Sequence, residues 1–206
     1  PVLFNYFKQL FAQVSNPPLD AIREELVTST ETFLGPEGNL FDETAAQCHQ
    51  LKLYEPILTN RELEKIRQID SGSLQSTTLS TVFNPSDGPG SMESSMQILC
   101  EEATKAVSEG STILVISDRA ADGQNAPIPS LLATAGIHHH LIREGTRTKV
   151  GLVLETGEPR EVHHIALLIG YGAGAVNPYL ALATVRDLAE RGQTNGIKPE
   201  YAKKNL

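Results

Sequence analysis

An α/β fold assembled from parallel βα units is what residues 91–206 predict, on three observations. Ile113-Leu114-Val115-Ile116 and the run Val150 to Leu154 are apolar without alternation, the pattern of strands covered on both faces. Each of these runs is followed by apolar residues recurring at helical spacing for about a dozen positions. Gly110 and Gly145 stand where the intervening helices should stop, because glycine accepts the left-handed backbone that ends a helix. Successive strand and helix units of this kind join by right-handed crossovers, so the repeat implies a parallel sheet.

Taken in chain order, residues 1–70 read as an N-terminal helical part. Leu3, Phe7, Leu10, Phe11 and Val14 recur at helical spacing, and Asn16-Pro17-Pro18 stops that helix, because proline bars the residue before it from the α region. A second helix is predicted with Leu19, Ile22 and Leu26 on one face and Asp20 at the positive end of the dipole. Gly35-Pro36-Glu37-Gly38-Asn39 reads as a turn, and Asn60 is expected to cap a third helix through Leu63, Ile66 and Ile69, with Glu62 and Glu64 early in it. Residues 71–90 are rich in Ser, Thr, Gly and Pro, the composition of a surface loop or linker, with only Thr81-Val82-Phe83 resembling a strand. In the βα-repeat part, residues 91–206, Met92, Met96, Leu99, Ala103 and Val107 mark an amphipathic helix and Leu131 to Ile142 a second. Pro159 is expected to open a helix through Val162, Ile165 and Ile169. Ala175-Val176 then gives a very short strand, and Asn177-Pro178 should cap and start a last helix through Val185 and Leu188.

Composition excludes several classes of partner. With 206 residues, 40% hydrophobic and 20% charged, the chain lies in the globular range. Its net charge is -8 and its basic residues are scattered, so neither nucleic acid nor an anionic membrane finds a cationic footprint. Apolar runs fall far short of the roughly 20 residues that span a bilayer, which predicts a soluble protein. Cys48 and Cys100 read as two reduced thiols or as one bridge. Pro1 leads straight into Val2-Leu3-Phe4-Asn5-Tyr6-Phe7, and the end at Tyr201-Ala202-Lys203-Lys204-Asn205-Leu206 shows no stop signal. Both ends read as cuts from a longer polypeptide.

In parallel α/β sheets, binding groups collect at the carboxyl ends of strands, which draws attention to Ser117-Asp118-Arg119, Glu155-Thr156 and Asn177. Asp118, Glu155 and Arg119 could supply an acid, a base and an anion clamp; equally, each could cap a helix or pair with a loop. No nucleophile with an adjacent base is present. His138-His139-His140 with His163-His164 offers imidazoles to a metal, but consecutive helix positions point about 100° apart, and the competing reading is a set of surface or interdomain histidines. Gly170-Tyr171-Gly172-Ala173-Gly174-Ala175 meets a loose dinucleotide pattern, yet Pro178 would fall inside the helix that pattern requires, so the glycines read as a helix-to-strand turn. Arg143 and Glu144 read as surface.

Four segments carry a resemblance. They are Leu3 to Pro18, Ala126-Pro127-Ile128-Pro129-Ser130-Leu131-Leu132-Ala133, His138 to Gly145 (HHHLIREG), and Gly170 to Ala181 (GYGAGAVNPYLA). In this order they resemble the central domain of bacterial and plastid glutamate synthase large chains. The sequence departs from that family around Leu19-Asp20-Ala21, where isoleucine and a second proline are usual.

The resemblance implies a degenerate (β/α) barrel-like domain, itself without catalytic, cofactor or metal residues, so that the isolated fragment is expected to be inactive. Its partners would be the flanking amidotransferase domain, which releases ammonia from glutamine, and the flavin-binding synthase domain, where FMN and an iron-sulfur cluster serve the amination of 2-oxoglutarate. Electron-donor contacts would lie elsewhere in the parent, in a cytoplasm or plastid stroma. The resemblance also implies that the domain helps to wall an ammonia tunnel. Asn16 in the Ser15-Asn16-Pro17-Pro18 break and Thr28 and Ser29 in the later Thr28-Ser29-Thr30 cluster, small uncharged polar residues, are the tunnel or interdomain candidates, with helix termination and capping as the competing role. Two other functions stay open: a small barrel-like enzyme acting on an anionic metabolite through Asp118, Arg119 and Glu155, and a metal-binding regulator using the histidines.

Overall fold

The computed structural model describes residues 3–9, 22–39, 41–194, 196–198 and 201. A 3-10 turn at Leu3–Phe7 precedes helix α1 (Glu24–Val27), strand β1 (Thr32–Leu34), a second 3-10 turn at Ala45–Cys48 and strand β2 (Leu51–Leu53). Helix α2 (Asn60–Arg67) leads into β3 (Asp70–Ser71), β4 (Leu74–Ser80) and β5 (Val82–Phe83). The repeat then runs α3 (Ser91–Ser108), β6 (Ile113–Ser117), β7 (Ala126–Pro127), α4 (Ser130–Arg143), β8 (Gly151–Glu155), α5 (Val162–Gly170), β9 (Ala175–Asn177) and α6 (Tyr179–Glu190).

The central sheet has the order β3-β4-β6-β8-β9, with β4, β6, β8 and β9 mutually parallel and the short β3 antiparallel to β4. Strand order follows chain order, so each crossover steps in the same direction. One face of β6, β8 and β9 (Leu114, Ile116, Leu152, Leu154, Val176) packs with Leu99 and Ala103 of α3, Ile137 and Leu141 of α4 and Leu168 of α5. The other face (Ile113, Val115, Val153, Ala175) packs with Leu34 of β1, Leu63 and Ile66 of α2, and Leu58. Crossover helices on one side of a curling parallel sheet are the wall of a (β/α) barrel. Here the wall is open, and the face that would turn inward is filled by the N-terminal part of the chain.

That filling is tight. A Cβ built on Gly151 would stand 2.8 Å from the backbone nitrogen of Gly35 and 3.3 Å from the Cα of Leu34, so only glycine lets β1 lie on the start of β8. At Gly174 a Cβ would meet the Leu34 side chain at 2.4 Å.

Several elements depart from the sequence reading. Residues 74–80, expected as loop, form β4, inside the sheet. Its hydroxyl-rich composition is accommodated because Thr77 Oγ1 pairs with Ser111 Oγ at 2.7 Å and the Thr112 hydroxyl accepts from the Gln75 amide at 3.0 Å. Threonine is β-branched and suits a strand as well as a loop. Helix α2 is capped by Thr59 rather than Asn60, in a reciprocal capping box with Glu62. Helix α5 begins at Val162 instead of Pro159, because the Arg160 amide donates to His164 Nδ1 at 3.1 Å. Asn177 caps nothing; its side chain turns toward α2. The β1–β2 ribbon and β7 carry no sequence signal, whereas Val82-Phe83, which resembled a strand, forms β5 and pairs with Ala126-Pro127 of β7. Of the predicted second helix, α1 is the described part, with Ile22 and Leu26 exposed, and Leu19 and Asp20 lie outside the described residues. In the first, Phe4 is the buried residue, and Leu10, Phe11 and Val14 lie outside the described residues. Helices α3, α4 and α6 and strands β6, β8 and β9 are where the apolar periods put them.

The two glycine contacts differ in what must yield, backbone at Gly151 and a side-chain end at Gly174. Gly151→Ala is expected to lower stability to urea by roughly 1–3 kcal/mol and Gly174→Ala by less; equal losses would mean that β1 does not press on β8.

Candidate functional site

The pairing register sets Ser117, Glu155 and Asn177 side by side at the carboxyl ends of β6, β8 and β9. Side chains alternate along a strand, so these three share the face that carries Ile113, Val115 and Val153, the face covered by α2. Glu155 is 4% exposed. Its carboxylate accepts a hydrogen bond from Ser117 Oγ and is met at 2.5 Å by Nη2 of Arg67, the last residue of α2. The half-exposed Arg119 guanidinium lies 4.0 Å from the same carboxylate.

Asp118, one residue past β6, faces the other way along the strand ends. It accepts from Thr156 Oγ1 at 2.7 Å and from the Gly157 amide at 3.0 Å, tying the end of β6 to the loop after β8. Tyr179 opens α6 beside it, with Arg119 stacked over its ring at 4.3 Å from the centroid. Burial and then the hydrogen bond to Asp118 push the Tyr179 phenol up to about 12, which keeps it a neutral donor. Asn177 is fully buried; its Nδ2 donates to the Leu58 carbonyl at 2.8 Å and to Asn60 Oδ1 at 3.0 Å, while its Oδ1 has no hydrogen-bond partner among the described residues.

The structure therefore brings Asp118, Arg119 and Glu155 together, with Thr156 and Asn177, as the strand ends suggested. It adds Arg67 and Tyr179, which sequence reasoning missed. Tyr179 has a weak signal in its place directly after Asn177-Pro178, whereas Arg67 lies 88 positions from Glu155 and has none. Chemically the assembly is closed on itself. Each carboxylate is held by donors of the chain: Glu155 by two arginines and the Ser117 hydroxyl, Asp118 by the Thr156 hydroxyl and the Gly157 amide. Breaking a buried pair is expensive because the surviving charge stays out of water without a counter-ion.

Three of the five clustered histidines have partners, whereas His163 Nε2 is buried with no hydrogen-bond partner among the described residues. His138 Nδ1 accepts from Arg147 Nε at 2.9 Å, and Arg147 also donates to the carbonyls of Val150 and Gly172. His140 Nε2 pairs with Thr104 Oγ1 at 2.7 Å, joining α4 to α3. His164 stacks on Phe4 with ring centroids 4.4 Å apart and stands 3.2 Å from Glu161. Burial is the leading cause that lowers both His138 and His164 below the ordinary histidine range. Among the described residues no group of three or more His, Cys, Asp and Glu could hold a metal ion. Cys48 is exposed, Cys100 is half-buried, and both are free thiols. Gly170 to Ala175 forms the turn from α5 into β9, with Gly172 at a φ of 114°. No helix of the described residues is long and apolar enough to cross a membrane.

Thr28 and Ser29 lie apart from this network. Thr28 Oγ1 donates to the Glu24 carbonyl at 2.7 Å, Ser29 Oγ accepts from the Glu31 amide at 3.2 Å, and both residues are exposed. Asn16 lies outside the described residues.

A single row of parallel βα units, open rather than closed and packed with its own N-terminal helix, defines a barrel-related α/β domain. The family model of the glutamate synthase central domain matches residues 1–206, and the chain belongs to that family. It is 47% identical to the glutamate synthase (NADPH) large chain of Bacillus subtilis over 93% of its own length and 12% of that protein. It is 39% identical to the glutamate synthase (NADH) of Schizosaccharomyces pombe, over 100% of this chain and 10% of that one. With ferredoxin-dependent glutamate synthase 2 of Synechocystis sp. it shares 41% identity over 99% of this chain and 14% of the relative. The chain thus spans only a small part of the length of these relatives.

Arg67→Ala leaves Glu155 buried without its main partner and is expected to lower unfolding free energy by about 3–5 kcal/mol, with Glu155→Gln restoring part of the loss in the double variant. An unchanged denaturation midpoint would show that the pair contributes nothing. His138 and His164 take up protons less readily folded than unfolded, so the stability they contribute is complete above the unfolded value of 6.5 and is lost as pH falls below it. Thermal midpoints should accordingly drop between pH 7.5 and 5.5, and less steeply in His138→Gln/His164→Gln; parallel slopes would contradict this.

Proposed function

We propose that the chain acts as the connecting domain of a glutamate synthase large chain, between a glutamine amidotransferase domain and a flavin-binding synthase domain, and that it walls part of the ammonia passage. The parent reaction would be glutamate formation from glutamine and 2-oxoglutarate, with FMN and an iron-sulfur cluster in the synthase domain and the electron donor bound elsewhere. The observation that carries this reading is the internal pairing of Asp118 and Glu155 at the strand ends, where a barrel enzyme would present its catalytic groups. A domain whose acidic groups are held in this way serves as frame and spacer. Membership of the family supports the rest, since relatives that carry the parent name extend far beyond the matched segment.

Ammonia must travel without meeting water or an acid that would protonate it, which favours small uncharged polar groups along its path. Thr28 and Ser29 are such groups, with hydroxyls bonded only to nearby backbone, and with Asn16 they remain the proposed tunnel or interdomain residues. In the full-length parent, Thr28→Phe and Ser29→Phe should leave synthesis from added ammonia intact and reduce glutamine-dependent synthesis several-fold. If both activities hold at the wild-type level, or both fall with lost folding, the residues only cap α1.

A further inference from the structure

At the far edge of the sheet the backbone is already closed. The Val176 amide donates to the Pro56 carbonyl at 2.7 Å and the Leu58 amide to the Val176 carbonyl at 2.8 Å, so the segment around Ile57 covers β9 and leaves no free strand edge for another strand to join there. What stays open is a trough between α5 and α6. A cavity of about 210 Å³ is walled by Val162, Ile165, Ala166 and Ile169 of α5 and by Ala181 of α6. A second hollow continues it along Leu180, Thr184 and Val185. The α5 side repeats at i, i+4 and i+7, and the α6 side at Leu180 and Thr184, so two helical ridges flank one groove. The ridges are wet: Val162 is 82% exposed and Leu180 42%. Helix α6 buries only Ala181 and Leu182 of its 12 residues.

Arg160 lines both hollows and makes no ion pair or side-chain hydrogen bond among the described residues. It is a free cation on a chain of net charge -8. A groove with apolar walls, a cation unpaired among the described residues and an acid, Glu161, that already faces His164 at 3.2 Å fits an amphipathic helix that brings apolar side chains at i, i+3 and i+4 together with a carboxylate for Arg160.

We infer that the α5–α6 trough is a socket for a helix of another domain of the same parent polypeptide, which rests on reading the chain as a connecting domain. The matched relatives are long enough to supply it, since this chain accounts for 12% of one and 10% of another. A second copy fits less well, because it adds its own charge of -8 and a second unpaired Arg160.

The test uses the full-length parent chain with Thr184→Cys. Maleimide labelling of that thiol, mapped by mass spectrometry, should run at least about tenfold slower in the folded parent than in urea, and Arg160→Glu should abolish most of the protection while Arg160→Lys keeps it. A photo-crosslinker on the same cysteine should join a helix of a flanking domain within one chain. Labelling as fast as in urea, a cross-link between two chains, or one confined to this domain would each overturn the socket. The readout involves no ammonia transfer, so protected labelling with wild-type activity in the Thr28 and Ser29 variants would sink the tunnel and leave the socket standing.

Discussion

Strands that are apolar on both sides have to be covered on both sides, and β6 and β8 are buried at every position. Right-handed crossovers that step always in one direction deliver their helices to a single face. In a closed barrel the opposite face is covered by the strands across the barrel; in this row of four parallel strands there are none. The second cover must come from elsewhere in the chain. That need accounts for the N-terminal part: α2 and β1 exist as packing material for the inner face, with Leu34, Leu63 and Ile66 supplying the apolar surface. It accounts too for Gly151, which lets β1 approach closely.

The same arrangement decides the chemistry of the strand ends. Laying α2 across the inner face brings its last residue, Arg67, onto Glu155, while Thr156 and Gly157 take up Asp118. Groups that a barrel enzyme would hold free for substrate are spent on joining helix, sheet and loop. Tyr179, held neutral by burial, and Arg119, stacked upon it, complete a polar layer that behaves as internal structure. At the opposite ends of the strands Arg147 does similar work, gathering His138 and the carbonyls of Val150 and Gly172.

A frame of this kind has two sorts of surface. One is the ordinary outer side of α3, charged and wet. The other is the flank formed by α5 and α6, where apolar side chains of both helices stand exposed around an arginine with no ion pair among the described residues.

The succession of strand and helix after residue 90 was legible in the amino acids alone, because continuous apolar runs, helical periods and terminal glycines are local signals and the covering helices come from the same local units. The family was legible as well, in segments such as Gly170 to Ala181. Strand β4 was not, since threonines and serines read as loop until Ser111 and Thr112 are placed beside them. Nor was the role of Asn177, whose local position before proline suggests a cap but whose amide is claimed by Leu58 and Asn60, more than a hundred residues earlier. Glu155 was read as a strand-end acid and Arg67 was not read at all, and only the packing of α2 on the inner face made them partners. The sequence by itself determined the βα repeat and its membership; tertiary structure decided what fills the open barrel and which charges meet, because contacts between distant segments leave no period in either one.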